Sequence, residues 1–268
     1  METISTETLL NILRSLAPEA SALPKDPVGL LIEGDGRPIG RIGVCLDCTP
    51  ASAQRAVQAG VDFIAVHHPL IYHPLRRIAA SADPISAAAV QLVRAGIALY
   101  AMHTNWDRAH GGINDTLARL LGLRDIHPLG SEGLPSLPRV GELPEPMTYS
   151  DFCAFVEETL GCRGSNALRA AEIASGSDSA RGGSAAWIRT VAVCGGAGAE
   201  LSADVIAAGA HAYVTSDVRH HEFLYASARG LALLDAGHGA TETPGMKELI
   251  LILQEQLPAI DIVWIGPE

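Results

Sequence analysis

Apolar residues recur along this chain in two alternating textures. Short continuous runs, RIGVCLD (41–47), DFIAVHH (62–68) and IALYAMH (97–103), read as strands buried on both faces. Between and after them, residues 51–59, PISAAAVQLVRAG (84–96) and INDTLARLLG (113–122) carry helical spacing. The same alternation returns near the C-terminus. TVAVCGG (190–196), AYVTSD (212–217) and LALLDAG (231–237) read as strands, and 201–209, 218–229 and 244–257 as helices, the last opened by Pro244. Strands that alternate with helices of this length predict an α/β protein with mostly parallel strands.

The two runs align with each other. Val44-Cys45 falls on Val193-Cys194 and Ala59-Gly60 on Ala208-Gly209, without a gap. After a length change in one loop, AGIALYAMH (95–103) matches ARGLALLDAGH (228–238) in kind. We read a duplicated β-α-β-α-β unit. Between the copies the texture changes. A Pro-rich stretch begins at 127, a helix is predicted over 148–161 and a strand over 166–173, and 174–186 reads as a low-complexity loop. The N-terminal residues METISTETLLNILRSL have the pattern of an amphipathic helix rather than a leader. The expected division is a first α/β lobe, 1–126 plus 230–268, carrying the candidate metal site, and a second lobe, 127–229.

Composition narrows the function. At 268 residues and 48% hydrophobic content the chain can bury a large core. A net charge of −11 argues against nucleic acid as the main partner and makes nucleic-acid binding the weakest of the candidate functions, because phosphate backbones are bound by clustered Lys and Arg. Five scattered Cys form no disulfide framework, which points to a reducing cytosol. No run approaches the ~20 apolar residues of a membrane span, so a cytoplasmic protein without membrane contact is expected.

In parallel α/β sheets ligands collect at the carboxyl ends of strands. Three such ends here carry metal-ligand residue types: His67 and His68 after DFIAV, His103 and Asp107 after IALYAM, and His238 and Glu242 after LALLDAG. Adjacent residues of a regular strand point to opposite faces, so His67-His68 makes sense only at a strand end, where Pro69 enforces an extended exit and both rings can splay toward neighbouring ions. Asp107 and Glu242 supply the carboxylates. Three neutral imidazoles and two carboxylates around two divalent ions leave a net charge of about +2, which suits a small anionic substrate. The spacing of His238 and Glu242 is assigned to a loop before Pro244, not to a helix face. His103 is either a ligand or a residue that orients one and shuttles a proton. His220-His221 opens a helix and reads as surface. Cys45-x-x-Cys48 lacks a second pair, and CGGAGAE (194–200), though placed like a phosphate loop, reads as a tight turn.

VHHPLIYHPL (66–75), MHTNWDRAHGGINDTLARLLGL (102–123), RVGELPEPMT (139–148), VAVCGGAG (191–198), AYVTSDVRHH (212–221) and DAGHGATE (235–242) together resemble the GTP cyclohydrolase I type 2 homologue family, also called NGG-one-interacting-factor-three-like. The resemblance spans nearly the whole chain, in order. It implies two interlinked α/β lobes, a toroidal homohexamer and a dinuclear metal site. His68 and Asp107 would bind one ion, His67 and His238 the other, and Glu242 both. The chain departs from the family at Lys25-Asp26-Pro27-Val28-Gly29, which lacks the Trp and Asn of a common Trp-Asp-Asn-x-Gly stretch. Zinc, iron, manganese and nickel all suit such ligands. The expected function is metal-dependent hydrolysis of a nucleotide-like or phosphorylated small molecule. The alternative is a non-catalytic metal-binding, metal-delivering or regulatory oligomer.

Overall fold

The computed structural model describes residues 2–130, 136–162, 168–170 and 187–267. In chain order its elements are α1 (Thr6–Leu16), β1 (Gly29–Ile32), β2 (Arg41–Asp47), α2 (Pro50–Ala59), β3 (Phe63–His68), α3 (Pro84–Ala95), β4 (Ala98–Ala101), α4 (Thr104–Arg108), α5 (Ile113–Leu120) and β5 (Arg124–Pro128). There follow β6 (Arg139–Thr148), α6 (Tyr149–Leu160), β7 (Arg169–Ala170), β8 (Trp187–Ala197), α7 (Ser202–Ala207), β9 (Ala212–Ser216), α8 (His220–Ala228), β10 (Ala232–Asp235), α9 (His238–Gln256) and β11 (Asp261–Trp264). The chain forms two units, Met1–Gly112 with Met246–Glu268, and Ile113–Gly245. The predicted 174–186 loop and most of the predicted 166–173 strand lie outside the described residues.

The first unit is built on a five-stranded sheet of order β1-β4-β3-β2-β11, parallel except for β1. Its helices are punctuated by sequence. Thr49 caps α2 by accepting from the Ser52 amide, Pro50 opens that helix, and Gly60 ends it at φ 66°. Asp83, Pro84 and Gly96 do the same for α3. A Pro whose missing N–H is no loss and a Gly free to turn left-handed fix where each helix starts and stops. The apolar faces of α2 and α3 close over β3 and β4 through Ala53, Ala56, Ala88, Leu92, Ile64 and Leu99. Burying each large aliphatic there contributes about 1.5–3 kcal/mol.

The second unit carries a six-stranded sheet of order β5-β6-β8-β9-β10-β7. Its three central parallel strands are buried on both faces. Val191, Val193, Ala212, Val214, Ala232 and Leu234 belong to one core, and the alternate residues Ala192, Cys194, Tyr213 and Leu233 to another. That is why these strands read as continuous apolar runs rather than as an alternating pattern.

The duplication holds in three dimensions and extends further than the sequence indicates. β2-α2-β3-α3-β4 and β8-α7-β9-α8-β10 each lay three parallel strands side by side in chain order. In each copy the strand preceding the repeat, β1 or β7, returns to pair antiparallel with the last strand. The unit is therefore a β-β-α-β-α-β motif with an antiparallel edge strand.

The joins between units differ from the expected 1–126 plus 230–268 and 127–229. Residues 113–126 and 230–245 fold with the second unit. Leu117 of α5 packs in the same core as Val191 and Val193, and β10 is the third parallel strand of the second copy. His238 and Glu242 therefore belong to the second unit, whereas His67, His68, His103 and Asp107 belong to the first. β6 was also missed, because Pro144 and Pro146 argue against a strand. The ladder to β8 shifts register between Glu142 and Met147, and the two prolines sit inside that irregularity, where no ladder bond is forfeited.

Candidate metal centre

β3 runs to its last residue as His68, so the two neighbouring imidazoles occupy the end of a parallel strand. His67 is fully buried and its Nδ1 lies 2.7 Å from the carbonyl oxygen of Met102. A carbonyl only accepts, so Nδ1 carries the proton and Nε2 is left with its lone pair. His68 is partly exposed, and its Nδ1 lies 2.8 Å from Asp47 Oδ1 at the end of β2. The ring centroids of His67 and His68 are 5.0 Å apart.

His103 precedes α4, at the end of β4. Its Nδ1 is 2.8 Å from Asp26 Oδ1, and the other oxygen of Asp26 accepts from the backbone and hydroxyl of Thr104. Burial opposes ionisation of Asp26, yet the hydrogen bonds from His103 and Thr104 outweigh it and hold the carboxyl below its ordinary range. The loop that departs from the family pattern thus keeps the one residue that fixes His103. Nitrogen atoms of His67, His68 and His103 lie within 4.8 Å of one another, a group able to hold a metal ion. Asp107, buried in α4, brings a carboxylate oxygen 3.5 Å from His67 Nε2. Oxygen and imidazole donors whose far nitrogens are pinned by carboxylate or carbonyl acceptors are the arrangement found around bound transition metals, so the donor set fits a divalent cation.

In the second unit, α9 begins at His238, not at Pro244 as the sequence reading expected. His238 and Glu242 lie on one helix face, with Nε2 and Oε2 3.1 Å apart. The misreading came from treating Pro244 as a helix start. A proline inside a helix costs one backbone bond, and here the helix continues through it. His238 follows the same rule as the other three rings: its Nδ1 is hydrogen-bonded to Asp217, which stands at φ 55° just after β9. Glu242 is buried and completes this second donor group.

Several supporting residues escaped the sequence reading. Asp26, Asp47 and Asp217 are the carboxylates that set the tautomers of His103, His68 and His238. Gly195 and Gly196, read as part of a tight turn, lie in the last residues of β8 and pack against the second donor group. Gly196 takes φ 66°, and a side chain on it would overlap the Glu242 carboxylate and approach His238 Nε2 to 3.2 Å. Its amide is 3.0 Å from the Thr241 hydroxyl. Asn114, in the GGxND motif, donates to the Leu137 carbonyl and accepts from the Gly195 amide, while neighbouring Asp115 is ion-paired with buried Arg139. Those contacts tie α5 to β6 and β8. The carboxylate positions carry a signal readable in hindsight, since Asp47 and Asp217, like the ligands, stand just past strand ends. His220 and His221 are exposed at the start of α8, as expected of surface residues.

The fold and donor groups define a class of proteins in which two α/β units, one inserted within the other's sequence, present imidazoles and carboxylates at strand ends. A family model described as Duf34/NIF3 (NGG1p interacting factor 3) matches residues 4–266, and the chain belongs to this family. It is 35% identical to the GTP cyclohydrolase 1 type 2 homolog of Streptomyces coelicolor, over 88% of this chain and 81% of that one. It is 34% identical to the protein of the same name from a Nostoc species, over 84% and 80%. Among solved structures it resembles a Bacillus cereus protein related to NIF3, with a TM-score of 0.85 at 22% identity over 98% of this chain and 96% of that one. Reduced HcgD from Methanocaldococcus jannaschii is similar at a TM-score of 0.81 and 26% identity, covering 99% of both chains. No helix among the described residues is long and apolar enough to cross a membrane.

Proposed function

We propose that His67, His68, Asp107, His238 and Glu242 hold two divalent metal ions and that the protein hydrolyses a phosphorylated or nucleotide-like small molecule. One observation carries this reading. All four strand-end imidazoles of the two units, His67, His68, His103 and His238, have Nδ1 held by an oxygen acceptor, which makes Nε2 the nitrogen that each ring would turn to a cation or a proton. A surface or core histidine needs no such uniform second partner, whereas a metal ligand does. A bound pair of cations supplies Lewis acidity and a nucleophile drawn from water at neutral pH.

The chain's own contribution is orientation and proton handling. Asp26 holds a proton on His103 Nδ1, which leaves Nε2 to accept a proton from the attacking water and return it to the leaving group. The buried carboxylates Asp107 and Glu242 offset the cationic charge. A toroidal hexamer is part of the same proposal and rests on the family resemblance.

Elemental mass spectrometry on wild type and Glu242→Ala, purified without chelator, tests the reading, together with sedimentation velocity and hydrolysis assays on the same samples. The expected result is about two metals per chain in wild type, a sharp fall in the variant, an unchanged hexamer and loss of turnover. Metal-free wild type after reconstitution refutes the metal site. Full loading with no turnover across phosphate esters and purine nucleotides refutes the hydrolase and favours a metal-delivering or regulatory oligomer.

A further inference from the structure

The segment between β3 and α3 borders an open cavity of about 340 Å³ lined in part by Tyr72, His73, Arg76, Arg77 and Asp83. That volume lies in the range of small-molecule sites. We propose that this cavity is a recognition subsite for the substrate, taking a phosphate monoester carried on a planar ring.

Three observations support it. First, Arg76 and Arg77 are adjacent, exposed, and neither is held in an ion pair among the described residues. Two like charges side by side repel, and in a chain of net charge −11 an exposed arginine pair stands out, although Arg77 also lies near enough to Asp83 to help hold that carboxyl below its ordinary range. Guanidinium is the side chain best shaped for two parallel bonds to a phosphate. Second, the one carboxylate lining the cavity is already occupied. Asp83 accepts from the Ser86 amide and hydroxyl and from the Ile85 amide as the cap of α3, so helix capping takes up its hydrogen-bonding oxygens and its attraction to Arg77 is the smaller interaction. Third, Tyr72 joins the cavity to the imidazole group. Its ring is 53% exposed and stands perpendicular to both His73 and His103, with centroids 5.0 and 6.4 Å away. An aromatic face left open to solvent is a stacking surface for a flat ring. A ligand seated against Tyr72 with its anionic group on the arginines would lie beside His103, the proton-handling residue of the function proposed above, on which this inference rests.

Isothermal titration with phenyl phosphate and with inorganic pyrophosphate tests it, using the full chain as purified. Wild type should bind both at millimolar concentration. Arg76→Ala/Arg77→Ala should weaken both by about tenfold or more. Tyr72→Ala should weaken phenyl phosphate while leaving pyrophosphate unchanged. All these side chains are exposed, so melting temperatures should match wild type. Binding that is absent in wild type, or unaffected by the double arginine change, overturns the subsite. The same titrations on Glu242→Ala separate the two proposals. Retained binding in a protein shown to be metal-free leaves the subsite standing if the metal reading falls. Loss of phenyl phosphate binding in Glu242→Ala alone, with the arginine variant unaffected, assigns the anion to the metals and overturns the subsite.

Discussion

At the scale of single residues, the site is governed by what stands behind the ligands. The candidate histidines and carboxylates could be picked out of the sequence because their types are rare and their strand-end positions coincide with where parallel sheets bind ligands, and the structure groups several of them closely enough that they could hold a metal ion. Asp26, Asp47 and Asp217 were not, because an aspartate in a loop or at a strand end is common and only geometry shows which imidazole it pins. Gly196 does turn, at φ 66° as the sequence suggested, but its second role was hidden, because a glycine needed to make room looks the same as a glycine needed to turn. Its Ala variant must accept both a left-handed backbone and a collision with Glu242. Gly196→Ala should therefore lose about 1–3 kcal/mol of stability in urea titration and, if the proposed metal site is right, take up less metal than wild type. Titration of the cysteines sets a limit at high pH. Burial pushes Cys48 up to about 12, and pushes buried Cys45 up as well. An unfolded thiol ionises near 8.5, so between those values the folded chain holds protons that the unfolded chain has lost. Stability is then complete below about pH 8.5 and falls as pH rises, with Cys48 alone costing about 1.4 kcal/mol per pH unit. Urea midpoints compared at pH 8 and pH 10 check this. An unchanged midpoint would mean that the thiols are accessible.

At the scale of elements, hydrophobic runs and punctuation located every strand and helix of the two repeats to within a few residues. Strands buried on both faces leave an unmistakable run, and Pro and Gly mark helix ends. Elements outside the repeats were harder to see. β1 and β11 are four-residue strands whose pairing partners, β4 and β2, are distant in sequence. β6 hides its strand character behind two prolines placed at a register irregularity. The start of α9 was displaced because helix propensity treats Pro244 as a beginning, whereas His238 and Glu242 gain their shared face only if the helix is already formed six residues earlier.

At the scale of the whole molecule, the order of segments along the chain matters as much as the fold. The first unit is interrupted by all of the second and completed only by Met246–Glu268. Its last strand, β11, pairs in parallel with β2 from Arg41 to Val44, and Ile265 packs into the core with Cys45 and Ala53. A chain truncated after Leu257 leaves β2 as a bare sheet edge beside an unfilled core, a combination that invites intermolecular pairing. It should appear in the insoluble fraction, whereas wild type stays soluble. A soluble, monodisperse truncation would show that β11 is dispensable.

The same arrangement sets a schedule for synthesis. The ribosome produces the first lobe's opening strands early and its closing strand last. At about 5–20 residues per second, the intervening stretch keeps that lobe unfinished for on the order of ten seconds or more. During that interval β2 lacks its β11 neighbour, and a chain that stops before β11 has an incomplete sheet rather than merely a shorter tail.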